Sequence, residues 1–152
     1  MPAVCYAPGS VEVRGALESL SISALLGAER YGEALRTLRA VGDTRLTGIF
    51  LTNLGVLSQE RGEHSRAEQH FLQALALLEQ AGDTRYQAIT LGNIGALRQL
   101  AGDAAAARDR YLQALPLCAE AGDLRTEALC RVRLGGALAG LGDLAGGAEQ
   151  LD

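Results

Sequence analysis

The side chains that could carry covalent or metal chemistry are few in this sequence, and their spacing keeps them apart. His64 and His70 are six residues apart, about 240° around a helix, so the two rings would lie on different faces. Cys5, Cys118 and Cys130 lack the spacing of a zinc site. We also find no glycine-rich phosphate loop and no nucleophile elbow. We therefore expect no enzymatic activity, no cofactor and no bound metal, with surface histidines and with Cys118 and Cys130 packed between helices.

A second set of polar residues suits non-covalent chemistry, because its members recur at a fixed interval. Asn53, Asn93 and Arg133 are forty residues apart. An Asn side chain both donates and accepts hydrogen bonds, and an Arg side chain holds a carboxylate through two parallel bonds. Their interval requires a structural element that repeats every forty residues.

The sequence does repeat with this period. Blocks 41–80 and 81–120 align without a gap and share about 17 of their 40 residues. Block 121–152 continues the pattern, and segment 11–40 follows it more weakly. The chain therefore reads as an array of similar units.

Glycine followed by an acidic residue marks the helix boundaries within each unit. Glycine tolerates the positive φ at which a helix ends, and a short carboxylate accepts the free N–H groups of the next first turn. The pairs at the block starts are Gly42-Asp43, Gly82-Asp83 and Gly122-Asp123. A similar signal recurs in the middle of each block, where Glu63 is a weaker cap than aspartate. The pattern predicts helices over about 44–61 and 64–81, each with one apolar face.

These residues resemble the tetratricopeptide repeat family, whose pattern combines a large apolar residue, a Leu-Gly pair, and an aromatic residue between two alanines. Block one supplies Leu51, Leu54-Gly55, Ala67, Phe71 and Ala74. Block two supplies Leu91, Ile94-Gly95, Ala107, Tyr111 and Ala114. Block three keeps Leu134-Gly135 but has Arg131, Gly147 and Leu151 at the other positions. The 40-residue period is similar to the longer repeats of kinesin light chains and of many bacterial regulatory proteins.

The resemblance implies an all-α fold, a right-handed α-solenoid of stacked antiparallel helix pairs. We expect one continuous domain with an unstructured N-terminus, a degenerate helix pair, two full repeats and an incomplete repeat, over 1–10, 11–40, 41–80, 81–120 and 121–152. Block three stops about eight residues short of a full second helix. We therefore expect either a fragment of a longer protein or an array whose end a partner covers, with self-association through open ends as an alternative.

The resemblance also implies where a ligand binds, because in this family the concave wall is built from the first helices. The matching positions form one stripe: Thr52, Asn53, Val56, Gln59, Asn93, Ala96, Gln99 and Arg133. The implied groove would hold an extended peptide backbone through amides and an acidic side chain or C-terminus through arginine. Two alternatives stay open. In the first, Asn53 and Asn93 tie neighbouring helices together. In the second, Arg133 is a solvated or salt-bridged surface residue.

Two local features conflict with ideal helices. Arg45, Arg85 and Arg125 lie in first turns, where the helix dipole disfavours a cation. Because the conflict repeats, we expect a repeated partner, namely a carboxylate of the preceding helix such as Glu79 or Glu120. A basic ladder that faces a ligand is the alternative. Pro116 falls inside a predicted helix, where we expect a bend.

Composition restricts the class of partner. The 152 residues are 48% apolar and 21% charged, as in globular proteins. The net charge of −4 and a pI of 5.2 argue against nucleic-acid binding, and no apolar run approaches the ~20 residues of a membrane span. The N-terminus does not resemble a signal peptide, so we expect a cytoplasmic protein.

The function that follows is a non-catalytic interaction scaffold, which binds a peptide or protein segment in its concave groove. The alternative is a sensor or regulatory arm of a larger bacterial signalling or transcription-regulating protein.

Overall fold

The computed structural model describes residues 28–151, and this part of the chain contains seven α-helices and no strand. In chain order they are α1 Ala28–Val41, α2 Thr44–Glu60, α3 His64–Ala81, α4 Thr84–Leu100, α5 Ala104–Ala121, α6 Leu124–Gly140 and α7 Leu144–Glu149. The expectations for 1–10 and for the first helix of segment 11–40 lie outside the described residues, as does Cys5.

The helix boundaries have the backbone geometry that the glycine–acid pairs predict. Gly82 has φ 68° and Gly122 has φ 65°, both in the left-handed region. The Asp83 carboxylate accepts the N–H of Tyr86 at 2.9 Å, and the other aspartate caps do the same for the third residue after them. Glu63 makes no such bond. The recurrent glycine–acid pairs are therefore structural signals that end one helix and begin the next.

Small residues set how closely the two helices of each full pair approach. A Cβ added to Gly55 would lie 2.4 Å from the Phe71 ring, and one added to Gly95 would lie 2.6 Å from the Tyr111 ring. Both distances are far below van der Waals contact, so the aromatic ring occupies the space that glycine leaves.

The third pair is built differently. Leu151, which takes the place of the aromatic residue, is exposed. Gly135 instead faces the backbone of Gly147, whose carbonyl oxygen would lie 3.0 Å from a Cβ at position 135. Two glycines therefore bring the backbones of α6 and α7 into direct contact.

The buried apolar side chains form clusters along the stack. One cluster joins α1, α2 and α3 through residues such as Tyr31, Phe50 and Leu78. A second joins α3 to α4 through Phe71 and Ile94, and a third joins α4, α5 and α6. Each helix pair thus buries its apolar face against the next pair, which is how a solenoid is stabilised. Helix α5 continues through Pro116, which lies at the surface.

Candidate binding surface

The predicted stripe lies on the first helices α2, α4 and α6, and most of its side chains reach the surface. Asn53 and Gln99 are exposed. The partly exposed members are Val56, Gln59, Asn93, Ala96 and Arg133. Val56 also packs on the cluster between α3 and α4, so its contribution to a binding surface is a half-buried apolar edge.

Thr52 does not belong to this stripe, and its assignment to the groove is wrong. Its side chain is only 1% exposed. The Thr52 hydroxyl lies 2.8 Å from the Thr90 hydroxyl on α4 and 3.0 Å from the carbonyl oxygen of Gly48. The two threonines hold consecutive first helices together, so Thr52 has no group left for a ligand.

The amides of Asn53 and Asn93 form no hydrogen bond to another residue within 28–151, whose side-chain bonds all involve other groups. The interpretation that these two asparagines tie neighbouring helices together therefore finds no contact here. Asn53 is exposed and Asn93 is partly exposed, so both side chains are accessible to a ligand.

Gln99 and Arg133 each have a protein partner. The Tyr111 hydroxyl donates to Gln99 Oε1 at 3.0 Å, and Arg133 donates to the carbonyl oxygen of Gly92 at 3.5 Å. Burial raises the pKa of Tyr111, while the charge of Arg133 lowers it in part. Tyr111 is therefore a neutral donor that fixes the Gln99 amide. The bond from Arg133 uses Nη1, so the other guanidinium donors have no partner among the described residues.

The bond between Tyr111 and Gln99 was missed by sequence reasoning. The available signal is the exchange of Phe71 for Tyr111 at equivalent positions, since only the tyrosine brings a hydroxyl group to the pair. The equivalents of Gln99 and Tyr111 in the preceding repeat are Gln59 and Phe71, and a phenylalanine has no hydroxyl to donate.

Two of the first-turn arginines, Arg45 and Arg85, pair with the following repeat, so the expectation of a partner on the preceding helix, such as Glu79 or Glu120, is wrong for them. Arg45 Nε lies 2.6 Å from Asp83 Oδ2. Arg85 Nε lies 3.1 Å from Asp123 Oδ2. In both pairs the aspartate is also the N-cap of its helix, so one carboxylate oxygen caps α4 or α6 while the other binds the previous repeat.

The electrostatics of Asp123 fit this double role. The hydroxyl and the backbone N–H of Thr126 donate to its carboxylate at 2.8 and 3.1 Å. These bonds, followed by the Arg85 guanidinium, lower the pKa of Asp123 because they stabilise its charged form. The cap is therefore an anion at neutral pH.

The histidines differ from each other, and the expectation that both are solvated is wrong for His70. His64 is exposed, whereas His70 is partly buried with its Nδ1 3.3 Å from the Ser58 hydroxyl. Burial, followed by the charge of Arg66, lowers the pKa of His70. In the region that the structure covers, no three His, Cys, Asp or Glu residues are grouped to hold a metal ion.

Cys118 and Cys130 are buried free thiols between α5 and α6. Burial raises the pKa of both, that of Cys130 to about 12. A thiol with so high a pKa is almost entirely protonated at neutral pH, so it is a poor nucleophile. The two residues fill space in the core, as expected.

Comparison with known proteins supports a repeat architecture. The family model described as "Tetratricopeptide repeat" matches residues 46–120. Among solved structures, the crystal structure of BtubC (BKLC) from P. vanneervenii is similar, with a TM-score of 0.73 and 20% sequence identity over 82% of this chain and 52% of that chain. No curated protein matches the chain.

These comparisons confirm the predicted all-α solenoid and indicate no enzyme family. The chain spans about half the length of BtubC. None of the helices described for residues 28–151 is long and apolar enough to cross a membrane.

Proposed function

Because residues 46–120 belong to the tetratricopeptide repeat family, we propose that this chain is a non-catalytic scaffold that binds an extended peptide or protein segment along its first helices. The family supports a role in protein–protein interaction. The binding surface that we assign to the chain is the stripe of Asn53, Val56, Gln59, Asn93, Ala96, Gln99 and Arg133.

The observation that supports this proposal most directly is that two equivalent amides have no hydrogen-bond partner among the described residues. Asn53 on α2 and Asn93 on α4 occupy the same position in successive repeats, and neither bonds to another described residue. A peptide backbone offers alternating donors and acceptors, and an Asn amide can match either. Two such amides in register can therefore hold a segment with little regard to its side chains.

At the α6 end of the stripe, Arg133 adds a positive charge and Gln99 adds a donor of fixed orientation. Tyr111 occupies Gln99 Oε1, which leaves the NH₂ group of Gln99 as a donor. The Arg133 guanidinium makes one long bond to Gly92 and keeps its other donors. We assign these donors to a carboxylate of the ligand, either an acidic side chain or a C-terminus.

The remaining chemistry fits a scaffold. The buried thiols are protonated, and His70 faces a serine that is 6% exposed. We place the protein in the cytoplasm, where such thiols remain reduced.

Display of random peptides, with free C-termini in half of the library, tests the proposal. Peptides selected on the parent chain should bind the Asn53→Ala/Asn93→Ala variant at least about tenfold more weakly, because several hydrogen bonds are lost. Arg133→Ala should weaken the peptides that carry an acidic residue or a free C-terminus.

The control is Gln73→Ala/Gln113→Ala, which removes two exposed and equivalent amides from the second helices α3 and α5. This variant should bind every selected peptide as the parent does. Peptides that bind the asparagine variant with unchanged affinity would place the binding surface elsewhere.

A further inference from the structure

The contact between consecutive first helices uses the same positions twice. Where α4 packs on α2, Arg45 pairs with Asp83, and Thr52 is buried against Thr90. In both pairs the residue on α4 or at its N-cap lies 38 residues after its partner on α2. One face of α2 is therefore covered by the next helix pair through one ion pair and one buried contact.

The contact of α6 on α4 repeats this arrangement. Arg85 pairs with Asp123. Gly92, the equivalent of Thr52, is buried, and a Cβ at this position would lie 3.3 Å from Cys130 Sγ. The residue that covers the buried position lies seven residues after the capping aspartate in both contacts, as Thr90 follows Asp83 and Cys130 follows Asp123.

Within residues 28–151, helix α6 presents the same face with no helix packed over it. Val132, the equivalent of Thr52 and Gly92, is 55% exposed, and Leu129 is 47% exposed. The equivalents of Leu129 are the half-buried Ile49 and Ile89. Of the carboxylates placed by the structure, none pairs with Arg125. This face, formed by Arg125, Leu129 and Val132, is called the α6 end face below.

We propose that the α6 end face docks a further helix pair of the same 40-residue type. Its first helix begins at an aspartate N-cap that pairs with Arg125. Seven residues after that aspartate it carries a small residue that packs on Val132. Charge complementarity and continuity with the two internal contacts determine this choice of partner. The inference is independent of the proposed binding stripe.

A second copy of this chain fits the face less well. Asp83 and Asp123 of a copy are already paired with Arg45 and Arg85. Asp43 caps α2, whose apolar side packs against Tyr31 and Leu38 of α1. The aspartate-capped first helices of a copy are thus covered by their own neighbours.

The test extends the chain in its own register. Residues 113–120 are appended after Asp152, followed by a copy of residues 81–120, so that the copied Asp83 lies 38 residues after Arg125. Hydrogen exchange should slow at least about tenfold for amides of 124–136, and Tm should rise by about 4 °C or more. Val132→Asp should abolish both changes in the extended chain and leave the 152-residue chain unaffected.

Specificity is tested through the ion pair. Arg125→Ala should lower the Tm of the extended chain, and it should have no effect when the copied Asp83 is replaced by Asn, which keeps the cap but not the charge. Arg36→Ala on α1 is the control. It should change the Tm of the extended chain by the same amount whether the copied Asp83 is kept or replaced by Asn.

Four results would overturn the proposal. The appended helices could melt separately, or fail to fold while α6 exchanges as before. Alternatively, Val132→Asp could leave the extended chain as stable as it was. A dimer of the 152-residue chain that Val132→Asp dissociates would identify a second copy as the occupant instead.

Discussion

The glycines that lie beneath aromatic rings are the residues through which the repeat pattern affects the free energy of unfolding most directly. Gly95→Ala would place a methyl group 2.6 Å from the Tyr111 ring. We expect the free energy of unfolding to fall by about 1–3 kcal/mol, because α4 and α5 must separate or the ring must leave its position. Urea unfolding followed by circular dichroism measures the change.

Gly32→Ala is the matched control, because a Cβ at this position on α1 would meet only the end of the Arg36 side chain at 4.0 Å. This substitution should stabilise the protein by about 0.5–1 kcal/mol through helix propensity. If both substitutions changed the free energy of unfolding equally, the position of the Tyr111 ring would not depend on the absence of a side chain at Gly95.

His70 gives a prediction for pH dependence. Its pKa is lowered in the folded state, so the unfolded chain takes up the proton first as the pH falls below about 6.5. The stability that the neutral ring supports is present above that pH and is lost between the unfolded and the folded pKa. We expect the free energy of unfolding to fall from pH 7 to pH 5, and to fall less in His70→Gln.

Urea titrations at several pH values measure this slope. His64→Gln, at the exposed start of α3, should keep the slope of the parent. A parent slope that His70→Gln leaves unchanged would contradict the assignment to His70.

At the scale of the helix pair, the capping aspartates do two things at once. Asp83→Ala removes both the cap of α4 and the pair with Arg45, whereas Asp43→Ala removes only a cap among the contacts that the structure describes. Each lost cap should cost about 1 kcal/mol. The partly exposed ion pair should add a few tenths to about 1 kcal/mol for Asp83.

A double-mutant cycle with Arg45→Ala and Asp83→Ala isolates the ion pair from the cap. The expected coupling is favourable and weakens at high salt. A coupling of zero at low salt would mean that shape alone holds successive repeats in register.

The sequence predicts these helices closely, because glycine–acid pairs specify ends by local chemistry alone. Helices expected over about 44–61 and 64–81 are observed over Thr44–Glu60 and His64–Ala81. The partners of the arginines could not be predicted, because several carboxylates lie within reach in sequence and only the stacking offset selects Asp83. Thr52 was misplaced for a similar reason: one residue on a helix turns the side chain by about 100°, enough to move it from a groove into a contact.

The environment of His70 also depends on the pairing of helices. Ser58 and His70 belong to the two helices of one pair, and neither residue type signals burial. Their contact follows from how closely α2 and α3 approach, which Gly55 and Phe71 determine.

At the scale of the whole molecule, the described helices form a stack in which each pair contacts its neighbours. Such a stack leaves one wall of first helices along its length. This wall carries Asn53 and Asn93 at equivalent positions, and neither amide bonds to another residue in the described part of the chain. We propose that a segment of a partner protein binds along this wall.

A quantitative pulldown from cell lysate tests that claim most directly. The bait proteins are the parent, Asn53→Ala/Asn93→Ala, and Gln73→Ala/Gln113→Ala, with helicity checked for each and captured proteins measured by mass spectrometry. We predict at least one partner whose recovery falls about tenfold or more with the asparagine variant and stays at the parent level with the glutamine variant. Partners that are recovered equally by the parent and the asparagine variant, or are lost only with the glutamine variant, would show that the wall of first helices is not the binding surface.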